Sequence, residues 1–186
     1  MRERLLAASD ELFYRDGVHS TGIDAVIEKA EVAKGSLYYN FDGKDALVAA
    51  YLQRRHESWR TRVEALRSGV VDPEQQVLVI FDAVADYVSD PHYRGDEFVN
   101  AAAESVGGTA QEIATKEFRH WLRKSFAESV DEMTVSDPGG LVDALIVLYD
   151  GALATASMDH TARAAAMTAK RIARLTLAAA KASVSS

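Results

Sequence analysis

Only three prolines punctuate the chain, at positions 73, 91 and 138, and its glycines gather between segments of helical periodicity. A sequence so poor in breakers folds into long helices joined by short loops. The periodicity predicts a first helix from about Arg2 to Asp16, with Leu5, Leu12 and Phe13 on one face and Gly17 ending it. A second helix starts after Thr21 and carries Ile23, Val26, Ile27 and Ala30. Thr21 followed by Asp24 reads as a capping box, an acceptor oxygen and a carboxylate at the positive helix end. A short third helix covers about Lys34 to Asn40, and Asp42 caps a long fourth, about Lys44 to Arg67. After "SGVVDP" a fifth runs from Pro73, a good first-turn residue, to about Ser89. "DPHYRGD" breaks the chain before a sixth, about Glu97 to Val106. Gly107 and Gly108 lead to a seventh, about Thr109 to Met133, with Ile113, Trp121, Leu122, Phe126 and Val130 near one stripe. "SDPGG" is the strongest turn; an eighth helix then covers about Leu141 to Ser157 and a ninth about Thr161 to Ala182. No stretch alternates as a strand does and no solenoid repeat is present, so the expected fold is all-α with about nine helices. The closing "SVSS" reads as a frayed tail.

A composition of 48% hydrophobic and 26% charged residues is that of a globular protein. The absence of cysteine excludes disulfides and thiolate metal sites and fits a reducing compartment. No apolar run is expected to approach the roughly 18–20 residues of a membrane span, and the acid-bearing N-terminus reads as neither signal nor transit peptide. A cytoplasmic protein with no membrane partner is expected. The net charge of −7 opposes an extended nucleic-acid footprint. Residues 1–50 carry six cations against nine acids, whereas residues 29–44 carry three cations against two acids. A contact with DNA would be focused on few phosphates per subunit and would depend on pairing subunits.

The stretch "EVAKGSLYYNF", residues 31–41, constrains function most. Val32 plugs the turn between two short helices, and Leu37 and Phe41, four apart, face inward. Lys34 and Tyr38, also four apart, then face outward, with Ser36 and Tyr39 on the flanks. Gly35 costs helix stability relative to alanine and permits close approach of the backbone to something outside. Free amides at a helix start, a lysine and two phenols suit phosphates, guanine acceptors and a thymine methyl. A second helix entering the major groove N-terminus first is helix-turn-helix geometry.

Residues 5–47, "LLAASDELFYRDGVHSTGIDAVIEKAEVAKGSLYYNFDGKDAL", resemble the N-terminal DNA-binding domain of the TetR family of transcriptional regulators. Leu12–Phe13, Gly17, Thr21, Ile23, Ala30, Val32, the run Lys34 to Tyr39, Phe41 and Lys44 carry the likeness. Three positions depart from the pattern: Glu31 replaces a usual glycine, Ala33 a usual serine or threonine, and Asn40 a frequent histidine. The resemblance implies a helix-turn-helix domain over residues 1–45 and a helical ligand-binding and dimerisation domain over 46–186. It implies a homodimer that binds a near-palindromic DNA operator and is released by a small-molecule effector, most simply a repressor. Carried over by position, it puts Lys34, Gly35 and Tyr38 on bases, and Thr21, Ser36, Tyr39, Asn40 and Lys44 on phosphates. The alternative is a helical small-molecule-binding protein or enzyme that keeps the helix-turn-helix only as scaffold.

The last two helices are rich in small residues, "ALATAS" at 152–157, then Ala164–Ala166 and Ala178–Ala180. Such a pair can dock on its symmetry mate as a four-helix bundle. Candidate ligand-pocket residues in the central helices are Trp59, Phe81, Tyr87, Phe98, Trp121, Phe126 and Tyr149, with Asn100, His120 and Asp150 as polar handles. They suit a partly apolar, aromatic or acyl ligand. Arg-Gly-Asp at 94–96 reads as a loop and helix start. His56 with Glu57, His92 with Asp96, and Asp159 with His160 lack the spacing of a metal site. No phosphate-binding loop, nucleophile elbow or HExxH occurs, so neither enzyme nor cofactor is expected.

Overall fold

The computed structural model describes residues 1–104, 109–159 and 162–182. Among them are nine α-helices and no strand: α1 (Arg2–Asp16), α2 (Ile23–Ala30), α3 (Lys34–Asn40), α4 (Gly43–Arg67), α5 (Pro73–Val88), α6 (Glu97–Glu104), α7 (Ala110–Asp131), α8 (Pro138–Asp159) and α9 (Ala162–Ala182). Gly107, Gly108, the expected α6 end at Val106, His160, Thr161 and the "SVSS" tail lie outside the described residues.

The helix starts follow local chemistry. Pro73 opens α5 behind Asp72, whose carboxylate accepts from the Glu74 amide at 3.2 Å. The Asp96 carboxylate accepts from the Phe98 and Val99 amides at 2.9 and 2.8 Å and so opens α6. α8 begins three residues earlier than its periodicity predicts, because Pro138 suits a first turn and the Asp137 carboxylate accepts from the Gly140 amide. The expected capping box at Thr21 is absent. Gly22 is the cap residue of α2, and the buried Thr21 hydroxyl donates to the Gly17 carbonyl at 2.8 Å. The carbonyl left behind at the end of α1 competes successfully for that hydroxyl.

The chain forms two compact units. The first takes Met1–Ser58 and Asp96–Phe118. In it α1 packs on α2 and α3, and Leu5, Leu37, Leu47 and Leu52 are sealed from solvent. Phe13 meets the ring of Tyr51 edge-on at 5.6 Å, and burial pushes the Tyr51 phenol far above its ordinary pKa. Arg55 joins α4 to α1 through the Asp10 carboxylate at 2.8 Å and the ring of Tyr14 at 4.7 Å. Phe98 of α6 stacks on Phe118 of α7 at 3.8 Å.

The second unit takes Trp59–Gly95 and the chain from Arg119 onward. Here α5, α8 and α9 pack on one another. Val77, Leu78, Ile80, Phe81 and Val84 of α5 are fully buried. Lys170 pairs with Asp82 at 2.6 Å and Lys181 with Glu74 at 2.7 Å, pinning α9 to α5. Arg67 donates to the carbonyls of Gln76 and Ser125 at 3.1 and 2.7 Å, and burial lowers its pKa. The expectation of no long apolar run needs correction at α8: this 22-residue helix contains an 18-residue stretch of mean hydropathy 1.5 and is long and apolar enough to cross a membrane. In this unit α8 is a core helix, with Leu145, Tyr149 and Leu153 buried.

Candidate nucleic-acid interface

The turn between α2 and α3 sets the site. Glu31 adopts the left-handed conformation at φ 51°, ψ 50°, the one described residue other than glycine with positive φ. That reversal lets its amide donate to the Glu28 carbonyl at 3.0 Å and the Val32 amide to the Ile27 carbonyl at 3.3 Å, which ends α2. Ala33 is extended and caps α3 without a side-chain hydrogen bond.

α3 is two-faced. Leu37 is 0% exposed and Phe41 is buried, while Tyr38 is 56% and Tyr39 90% exposed. Lys34 stands one turn before Tyr38, its ammonium 3.0 Å from the exposed Asp24 carboxylate. The hydrogen bond that Lys34 donates to Asp24, and then the Asp24 charge, raise the Lys34 pKa. A Cβ built on Gly35 would meet nothing within 4 Å. The Ser36 hydroxyl lies 3.3 Å from the Met1 sulfur, and the Asn40 amide donates to the Ser36 carbonyl at 2.7 Å. The Lys44 ammonium reaches the His19 carbonyl at 3.4 Å. Lys34, Gly35, Tyr38 and Tyr39 therefore form one exposed strip. Ser36, Asn40 and Lys44 are half-buried, and Thr21 lies in the core with its hydroxyl engaged.

Four of the six cations in residues 1–50 sit against a carboxylate. Arg4 meets Glu31 at 3.1 Å, Lys29 meets Glu11 at 2.6 Å, Arg15 meets Asp16 at 2.6 Å and Lys34 meets Asp24. Arg2 lies over the ring of Phe41 at 5.2 Å. These pairings join residues up to 27 apart, and periodicity carries no signal for them.

In the second unit α8 and α9 enclose an open groove of about 550 Å³, lined by Val147, Gly151, Ala152, Thr155, Ala165 and Ile172. Val147, Ile172 and Leu175 are exposed. The same unit gathers most of the aromatic residues singled out from the sequence. Trp59 meets Tyr87 at 5.5 Å and Tyr149 at 6.2 Å, and Phe81 meets Phe126 at 6.0 Å. The Trp59 indole N–H is buried without an acceptor among the described residues. Trp121 is half-buried. His120 is exposed on α7, which takes it out of the buried cluster as a polar handle. Asp150 is held by the Arg119 guanidinium at 2.6 and 2.9 Å. Phe98 belongs to the first unit, buried against Phe118, and Asn100 is exposed there. No group of three or more His, Cys, Asp or Glu able to hold a metal ion occurs among the described residues.

Residues 5–51 match the family model described as "Bacterial regulatory proteins, tetR family". The transcriptional repressor NemR of Escherichia coli K12 is 33% identical over 81 residues, covering 43% of this chain and 41% of NemR. An uncharacterised helix-turn-helix regulator from Lactococcus lactis is 22% identical over 129 residues, 68% of this chain and 63% of that protein. Both matches thus span less than two thirds of the relative's length. Among solved structures, a TetR-family transcriptional regulator from Streptomyces coelicolor superposes with a TM-score of 0.89 at 28% identity, covering 97% of this chain and 95% of that one.

Proposed function

The chain belongs to the TetR family of bacterial regulatory proteins, and on that premise we propose that it is a cytoplasmic, homodimeric repressor released from a near-palindromic operator by a small molecule. One observation carries the reading: α3 seats Leu37 and Phe41 in the core while Lys34, Gly35, Tyr38 and Tyr39 stand outside. Solvent-facing phenols beside a lysine and a bare backbone stretch serve no packing purpose. They suit the edge of a base pair and the flanking phosphates. Lys34, Gly35 and Tyr38 are assigned to bases, and Ser36, Tyr39, Asn40 and Lys44 to phosphates. Thr21 is assigned instead to holding the α1–α2 connection, because its hydroxyl is engaged with Gly17.

The groove between α8 and α9 is assigned to the dimer contact, where small residues let a second copy approach closely. Pairing would set two copies of α3 roughly 34–36 Å apart or somewhat more, one turn of the duplex. The effector is assigned to the aromatic cluster around Trp59. An unmet buried indole N–H costs about 1–3 kcal/mol, so a planar, partly apolar ligand that brings an acceptor to Trp59 would bind there with gain. Such a ligand releases DNA only if it prefers the protein conformation whose α3 spacing no longer fits. No catalytic activity is assigned.

Capture of genomic DNA fragments by the purified protein, denatured and refolded to remove any bound ligand, tests the reading. Enrichment of a near-palindromic sequence is expected. No enrichment from a folded, ligand-free dimer at low salt would contradict it and favour the helix-turn-helix as mere scaffold.

A further inference from the structure

Two cations beside α3 already sit against carboxylates before DNA arrives. Lys34, the first residue of the helix, gives its ammonium to Asp24 at 3.0 Å, and Arg4 of α1 gives its guanidinium to Glu31 at 3.1 Å. Both carboxylates are more than four-fifths exposed, so neither pair is a by-product of burial. Glu31 also holds a left-handed conformation that glycine would adopt without steric cost. An outlier of this kind, kept at an exposed turn, points to a task for the side chain. Its carboxylate reaches Arg4, 27 residues away in sequence.

We propose that Asp24 and Glu31 are internal counterions which the operator must displace, an autoinhibitory pairing built into the DNA-binding surface. The proposal rests on the DNA-binding reading above. A base-edge acceptor takes the place of Asp24 at Lys34 and a phosphate that of Glu31 at Arg4, so binding is an exchange of partners and not a capture of free cations. The pairs are exposed and individually weak, so exchange is possible, but each one lowers the affinity for any duplex. Exchange also changes the salt dependence. A phosphate neutralised by a free cation releases about 0.9 of a condensed counterion. When the cation leaves a carboxylate behind, that carboxylate takes a solution cation up, and the net release shrinks. The slope of log K against log salt in the native protein therefore understates its phosphate contacts.

The test compares the native protein with Asp24→Asn, Glu31→Gln and the double variant on a captured operator duplex and on a random-sequence duplex across a salt series. Both substitutions keep side-chain size, and circular dichroism checks the fold. Each single variant should bind both duplexes roughly two- to ten-fold more tightly as a dimer, with a slope steeper by roughly one per subunit. In a Lys34→Gln background, Asp24→Asn should lose most of its effect. Unchanged affinity and slope in folded variants, while the native protein binds its operator, would overturn the proposal and spare the DNA-binding reading. A full Asp24→Asn effect without Lys34 would also overturn it, reducing Asp24 to general repulsion. Failure of every form, native included, to bind DNA would bring down the reading and this inference together.

Discussion

Leu37 and Tyr38 are neighbours in sequence and opposites in environment: the first is sealed in the core of its unit, the second is 56% exposed one turn after Lys34. A seven-residue helix that spends one face on packing leaves the other for contact with something outside the chain. The remaining features of the surface are tested through residues whose place in the fold is known.

Gly35→Ala separates contact from stability. The added methyl meets open space in the protein and favours the helix by up to about 1 kcal/mol. The variant should melt at the same temperature or slightly higher, yet bind its operator about ten-fold or more weakly, because the methyl fills the gap between backbone and DNA. Calorimetry and a binding titration check the two halves. Undiminished affinity would show that the backbone does not approach a base pair there.

Glu31→Gly should stabilise the protein by about 0.5–1 kcal/mol. It removes a left-handed strain of roughly 1–2 kcal/mol and forfeits the exposed pair with Arg4, worth less than that. Urea unfolding gives the difference. A loss of stability would mean that the side chain contributes more than its conformation costs.

Gly151→Lys is aimed at the α8–α9 groove. A Cβ at Gly151 also meets nothing within 4 Å, so the protomer should fold unchanged. A charged side chain in the groove should convert the dimer to a monomer in sedimentation and abolish operator binding at concentrations where the native protein saturates. A variant that remains dimeric would move the interface elsewhere.

Arg67→Met tests the second unit's polar anchor. The guanidinium serves two carbonyls and the Ser129 hydroxyl, so its removal should cost about 2 kcal/mol. DNA affinity at temperatures well below the melt should not change. Equal stability would show that water replaces the guanidinium at both carbonyls.

The helices and the two faces of α3 were legible in the sequence because both rest on local spacing. Leu37 with Phe41 and Lys34 with Tyr38 are four-residue pairs, and Gly17 and Pro73 mark ends that the backbone obeys, whereas α8 takes the last three residues of "SDPGG" into its first turn. What was not legible depends on partners distant in sequence. Thr21 looked like a cap, but the Gly17 carbonyl at the end of α1 took its hydroxyl. Asp150 looked like a polar handle, but Arg119, 31 residues earlier, binds it with both nitrogens. His120 and Asn100 are polar residues near buried aromatics in sequence, and their residue type does not say which way a mixed helix face turns. The length of α8 as a hydrophobic run was hidden because Asp143, Asp150 and Gly151 interrupt its apolar residues.

The measurement that bears most directly on the central claim is operator binding by the native protein, Lys34→Ala and Tyr38→Ala on a captured fragment across a salt series. Both side chains are exposed, so both variants should keep the native melting temperature. Each should bind the operator about ten-fold or more weakly, in line with roughly 1–3 kcal/mol for a base contact. Native affinity in both folded variants would contradict the assignment of α3 to the DNA groove.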